Sequence, residues 1–170
     1  MELEEAIRTR RTHKVFGTEP VPAQLLAELI ELATWAPNHH MTNPWRFRVL
    51  GPETRARLEE AAGPEGAAKL RRAPTLIAVT SHRSPEDPVV EQEDLLATGA
   101  AVYALLLAAH DRGLAGFWRT PGLLREETGR SVLGIDDDEE GVALVYLGPL
   151  RQESVVQERA PLDDVLIQLD

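Results

Sequence analysis

The chain has 170 residues, enough for one domain with a sizeable core, and its 43% apolar and 27% charged residues exclude a disordered segment. Its 28 acidic and 18 basic side chains leave a formal charge of −10, which excludes a general nucleic-acid binder or a protein held on anionic membranes, since both need a basic face. Cysteine is absent, which removes disulfides, thiol catalysis and thiolate metal sites; the charged start MELEEAIRTRR lacks a leader pattern, so a cytoplasmic protein is expected.

Leu3, Ala6 and Ile7 share one side of a short first helix that ends near Arg10 and Arg11. RTHKVFGTEPVP is a connector, because Gly17, Pro20 and Pro22 break its periodicity. A second helix runs from Pro22 with Leu25, Leu26, Leu29, Ile30 and Ala33 at helical spacing, and it stops before Pro37. The loop TWAPNHHMTNP precedes WRFRVL, a half-buried strand with Trp45, Phe47 and Val49 on one face. Pro52 opens a polar helix through Ala62, and a Gly-rich break with the basic segment AAKLRRA follows. PTLIAVTS is a near-continuous apolar run and reads as a buried strand. After an exposed loop at 82–91 comes the longest helix, from about Val89 to Arg112, closed by Gly113. GFWRT reads as a short strand, Pro121 to Leu133 as a helix, and GVALVYLG as a further core strand.

The irregular order of helices and strands fits an α+β layer, a small mixed or antiparallel sheet flanked by helices, as one domain over residues 1–170. From Leu95 to Ala109 the long helix is apolar or small on every side, which implies burial all round. A chain this short has few elements to surround such a helix, so a homodimer is expected, with a central helix in a monomer as the alternative. Residues 154–170 form an arm whose Val155, Val156, Leu162, Val165, Leu166 and Ile167 are too many for a free tail. They are expected to wrap the partner subunit or, in a monomer, to cover the domain's own core.

Several motifs fail. Neither a Gly-x-Gly-x-x-Gly nor a Gly-x-x-x-x-Gly-Lys loop occurs, and no Gly-x-Ser-x-Gly elbow indicates a hydrolase. DDDEEG at 136–141 starts like a calcium loop, but its twelfth position is Leu147, so a solvated turn is expected. His39 and His40 point apart in any regular structure, and no metal is expected.

Other residues suggest a site. Arg8, Arg10, Arg11, Thr12 and Lys14 cluster in an acidic chain, as a phosphate site or equally as a solvated basic helix end. Arg119 between Trp118 and Thr120 suits anionic or carbonyl oxygens beside a ring, or else a core tryptophan next to a surface arginine. Taken in order along the chain, RRTHK, AP with NPW, and GFWRT resemble the nitroreductase family of flavin mononucleotide (FMN) oxidoreductases, and its compact branch in particular. The usual family forms are Arg-Arg-Ser-x-Arg and Ala-Pro-Ser-x-x-x-x-Gln-Pro-Trp.

The resemblance implies an intertwined α+β homodimer with one FMN per subunit at the interface. Arg10, Arg11 and Thr12 match phosphate and ribityl contacts, and Lys14 keeps the charge of the usual Arg while losing its fork. Trp35 and His39 fall where the compact branch reaches the flavin of the second subunit; Asn43 replaces a longer Gln. Trp118, Arg119 and Thr120 match a flavin-lining segment, and Arg151 matches a basic residue common after the last strand. The implied activity is reduction of nitroaromatic, quinone or related small-molecule acceptors by NADH or NADPH in ping-pong fashion, with no catalytic acid or base named. The alternative is a flavin-binding or interaction protein of the same fold without reductase turnover.

Overall fold

The computed structural model describes residues 1–152, 154–155 and 157–169, so Val156 and Asp170 of the expected arm lie outside the described residues. Helices α1 (Leu3–Thr9) and α2 (Ala23–Ala33) precede strand β1 (Trp45–Val49). Helices α3 (Pro52–Ala61) and α4 (Gly63–Leu70) lead to β2 (Thr75–His82), and α5 (Pro88–Asp111) leads to β3 (Leu114–Arg119). Helix α6 (Glu127–Leu133) and β4 (Glu139–Pro149) complete the domain, with short 3-10 turns at His39–Met41, Gly122–Leu124 and Leu162–Asp164. The strands form one antiparallel sheet in the order β1-β2-β4-β3. Among the described residues no helix is long and apolar enough to cross a membrane.

The central strands explain the continuous apolar runs in the sequence. Alternate side chains of β2 and β4 enter opposite layers, so both faces must be apolar. Ile77, Val79, Val145 and Leu147 pack with Leu29 of α2 and Val102 and Leu105 of α5. Leu76, Ala78, Leu144 and Tyr146 pack on the other side with Leu58, Leu70 and Leu133, from α3, α4 and α6. The α+β layer expected from the sequence is therefore present, with helices on both faces of an antiparallel sheet.

Four local expectations need correction. The Gly-rich break at 63–70 is helix α4, with a proline in its first turn where no backbone donor is needed. The segment from Pro121 to Leu133 divides into a 3-10 turn and α6. Gly129 allows α6 to seat there, since a Cβ on it would lie 2.0 Å from the Leu123 carbonyl oxygen. On β1 the burial falls along the strand, from buried Trp45 through half-buried Phe47 to exposed Val49 at the end of this edge strand. Helix α5, capped by Asp87 through the Val89 and Val90 amides, is not buried all round within one chain. Ala97, Ala101, Val102 and Leu105 face the core, while Leu95, Leu96 and Tyr103 are exposed.

The acidic stretch 136–141 is a solvated turn before a strand only as far as Asp138; Glu139, the first residue of β4, is buried. Arg48 of β1 grips it with two parallel bonds of 2.8 and 2.7 Å and caps the Gly134 carbonyl at 2.9 Å; the Thr80 hydroxyl donates to the same carboxylate. Burial alone would raise the Glu139 carboxyl, but the bonds from Arg48 and Thr80 and the charges of Arg48 and Arg46 outweigh it and hold it below the usual glutamate range. A depressed carboxyl stabilises the fold while it is ionised, so this contribution is complete above about pH 4.5 and is lost as pH falls through the lowered value. Arg48→Ala strands a buried carboxylate, and urea unfolding at neutral pH is expected to show a loss of about 3–5 kcal/mol. The difference from the parent protein is expected to shrink as pH falls through the lowered Glu139 value, where the parent's own ionised pair is lost.

Candidate functional site

The chain leaving α1 lies along the free edge of β3. Thr12 bridges Gly116 in parallel sense, and the His13 amide donates to the Gly116 carbonyl at 3.1 Å. Further on, Phe16 bridges Leu150 and the Gly17 amide donates to the Pro149 carbonyl at 2.9 Å. A Cβ on Gly116 would lie 2.7 Å from a terminal methyl of buried Leu106, so the glycine keeps that packing undisturbed. The connector thus becomes an additional sheet edge, and its backbone fixes where the basic residues project.

Those residues converge. Arg10, Arg11, Thr12 and Lys14 line a cavity of about 560 Å³ whose other wall is Gln152, Ser154, Val155, Gln157 and Arg159. Among the described residues four cations and no carboxylate line it, in a chain of net charge −10. Arg11 spends one guanidinium nitrogen on the Arg10 carbonyl at 2.8 Å, and the Arg10 guanidinium lies 5.9 Å from the centre of the Tyr103 ring. The Nε donors of both arginines are buried and have no hydrogen-bond partner among the described residues. A buried donor on a charged group is costly to leave unpaired, so the site is chemically incomplete without an acceptor. A phosphate, with several strong acceptor oxygens and the opposite charge, fits this donor set.

Behind the cavity His13 is buried, and burial, with the charge of Arg10, holds its imidazole below the usual histidine range despite a bond with the Gln152 backbone. Ser154 Oγ lies 3.1 Å from His13 Nδ1 and donates to the Thr12 carbonyl at 3.2 Å.

The remaining sequence candidates lie apart from this cavity. Trp35 is 79% exposed, and its indole N–H donates to Glu31 at 2.9 Å. His39 pairs with Glu93 of α5 at 2.6 Å, and the two frame a shallow depression of about 340 Å³ with Leu96 and Ala100. His40 has φ +50°, and its ring stacks on that of His39 at 3.9 Å, so the two histidines do not point apart as expected. Met41 and Asn43 share the left-handed conformation, and the Asn43 amide turns back onto the Met41 carbonyl at 2.7 Å. Trp45 is core, packed with Ala36, Ala97 and Ala101.

Strand alternation separates the last group. Trp118 packs on the α2–α5 side, near Gly99 of α5. Arg119 turns to the other face, donates to the Tyr146 hydroxyl at 3.0 Å and lines a cleft of about 230 Å³ with Lys69 and Glu126. Thr120 and Arg151 are exposed, and Arg151 does not line the basic cavity. Arg159 does line it and was missed, as were His13, Gln152 and Ser154. The one sequence signal for Arg159 is a cation inside the otherwise apolar and acidic arm.

Comparisons with known proteins bear on the family and the fold. The model of the nitroreductase family matches residues 7–69 and 63–149. The Escherichia coli protein YdjA, which its name assigns to the NAD(P)H nitroreductases, is 32% identical over 76% of this chain and 79% of its own. A nitroreductase-like family protein from Bacillus cereus superposes with a TM-score of 0.92 at 25% identity, covering 100% of this chain and 97% of that one. A Desulfovibrio desulfuricans nitroreductase-type protein, solved in complex with FMN, superposes with a TM-score of 0.80 at 27% identity over 98% and 96% of the two chains. With its family-model match spanning most of the chain, the protein belongs to the nitroreductase family.

Proposed function

We propose that the protein is an FMN-dependent oxidoreductase that draws on NADH or NADPH to reduce small oxidised acceptors, nitroaromatics and quinones among them, and that it works as a homodimer. The observation that carries this reading is the cavity in which, among the described residues, no carboxylate lines the wall and two buried guanidinium donors have no acceptor. FMN supplies hydride chemistry that no side chain can; the protein's part is to bind, orient and exclude. Arg10 and Arg11 would hold the phosphate, with Lys14 as a point charge and the Thr12 hydroxyl beside the ribityl chain.

The dimer reading rests on apolar surface left open by one chain. Leu95, Leu96 and Tyr103 of α5 are exposed, and so are Val155, Leu162, Val165, Leu166 and Ile167 of the arm. Exposed apolar residues in such number mark an interface. A second subunit would also bring Trp35 and His39, which lie away from the basic cavity in their own chain, to the flavin of its partner. Asn43, folded onto its own loop, Trp118, Arg119, Thr120 and Arg151 remain proposed contacts on resemblance alone.

Three outcomes are expected. Arg11→Gln removes one charge-assisted contact, about 1.5–3 kcal/mol, so FMN should bind roughly 10- to 150-fold more weakly while phosphate-free riboflavin is little affected. Flavin-fluorescence titration of the apoprotein measures both, and equal losses would rule out the phosphate assignment. Deleting residues 161–170 should shift the protein from dimer to monomer at low micromolar concentration in sedimentation velocity, and a truncated protein that stays dimeric would defeat the arm reading. Donor and acceptor have one site between them, so varying the donor at several fixed acceptor concentrations should give parallel double-reciprocal lines. Intersecting lines would reveal a second site.

A further inference from the structure

Asp94 of α5 is only 2% exposed, and among the described residues it makes no ion pair. Glu139, the other buried acid among them, has Arg48 to offset its burial. A buried carboxyl group without a cation is costly, and the core around Asp94 gives no reason for it. Its hydrogen bond comes from outside the core: the hydroxyl of Thr42, an exposed loop residue, donates to it at 2.6 Å. Directly before it on the helix, half-buried Glu93 holds Nδ1 of His39, from the same loop, at 2.6 Å. An ionised carboxylate can only accept, so Nδ1 is the donor and Nε2 is the ring nitrogen left for a ligand. One turn on, Thr98 donates to Ser81 of β2 at 3.0 Å, which ties this part of α5 to the sheet. The loop so held is strained. His40, Met41 and Asn43 have φ of +50°, +54° and +47°, a left-handed path that only Asn tolerates with ease. Met41 is 72% exposed, so burial of its side chain does not hold it there. Such backbone persists only where the contacts around it over-determine it, and it clusters at functional sites.

We infer that Glu93 and Asp94 are positioning residues: through His39 and Thr42 they hold the 38–43 loop in its left-handed path and aim the His39 imidazole at the flavin ring of the second subunit. Consecutive residues on a helix project about 100° apart, so the loop is fixed at two points, one in the core and one at its rim. A single attachment would leave it free to pivot. The two acids act on the ring end of the ligand, because the loop lies apart from the basic cavity. The inference rests on the reading above in which His39 reaches the flavin of the second subunit.

The test compares Thr42→Val, which keeps the shape of the side chain and removes its hydroxyl, with Thr42→Ser, which keeps the hydroxyl. In the full-length apoprotein, proton–nitrogen NMR correlation of the imidazole rings should show His39 protonated at Nδ1. Thr42→Val should shift these ring signals, and Thr42→Ser should leave them in place. Thr42→Val and Glu93→Ala should each weaken FMN and riboflavin alike, by roughly three- to tenfold, since the ring and not the phosphate loses a contact. Thr42→Ser should bind both flavins as the parent does. Met41→Gly removes the Cβ cost of the left-handed backbone, so adding it to Thr42→Val should restore most of the loss. Unchanged ring signals and flavin affinity in Thr42→Val overturn the positioning role. So does a loss in Thr42→Ser equal to that in Thr42→Val, or a failure of Met41→Gly to restore binding, since either marks a general structural defect. If His39→Ala binds riboflavin as tightly as the parent, the second-subunit reading of His39 falls and the inference with it. The phosphate site stands or falls separately, on the discrimination between FMN and riboflavin by Arg11→Gln.

Discussion

The pairing of β2 with β4 is the contact on which every other placement depends. Eight residues of β2 pair with the long β4, and both strands are apolar on both faces. That double burial lets one sheet hold two separate helical layers, α2 with α5 on one side and α3, α4 and α6 on the other. A one-residue slip would exchange the two faces, so the register is tightly specified. On its other edge β4 pairs over Leu144–Pro149 with β3, and β3 then offers the edge against which residues 12 and 13 lie. The basic cavity is thus two pairings removed from the β2–β4 core, first a backbone ladder and then a bridge fixed by backbone bonds.

The same ladder explains why the arginines are where they are. On a solvated helix end Arg10 and Arg11 would extend into water and their charges would be screened. Pinned beside β3, they are half-buried, and their Nε atoms lose water without gaining a partner among the described residues. Such an arrangement costs stability in the free protein. It persists because the Thr12, His13 and Gly17 backbone contacts dictate the path of the chain. Strain of this kind near a binding site is a form of preorganisation: the donors are aimed before the ligand arrives, so less order has to be created on binding.

Much of the fold was legible because it rests on pattern. Continuous apolar runs announced β2 and β4, and helical spacing announced α2 and α5, whose bounds agree closely with expectation. Helix α4 was hidden by Gly63, Pro64 and Gly66, residues that break structure in most settings; here Gly63, at φ +65°, turns the chain between two helices and Pro64 sits in a first turn. Of the site, the motif RRTHK was legible because cations in an acidic chain stand out. The opposite wall was not. Arg159 belongs to a segment without periodicity, and only the Ser154 contact with Thr12 and His13 reveals which surface it meets. Strand alternation could have shown that Trp118 and Arg119 face opposite layers, and a tyrosine hydroxyl on β4 now occupies the guanidinium.

Charge on two length scales sets how such a site can work. At long range the molecule carries −10, so an anionic ligand approaching it meets repulsion rather than steering. At physiological ionic strength that repulsion fades beyond about 8 Å, roughly a Debye length. Inside that distance four cations line a cavity of about 560 Å³ with no described carboxylate among them, and short contacts decide the outcome. Selectivity among anions then comes from donor geometry and not from net charge. A flat carboxylate can satisfy one guanidinium fork, whereas a tetrahedral phosphate has oxygens to offer to both walls. The two-sided construction of the cavity is the feature that favours a phosphate.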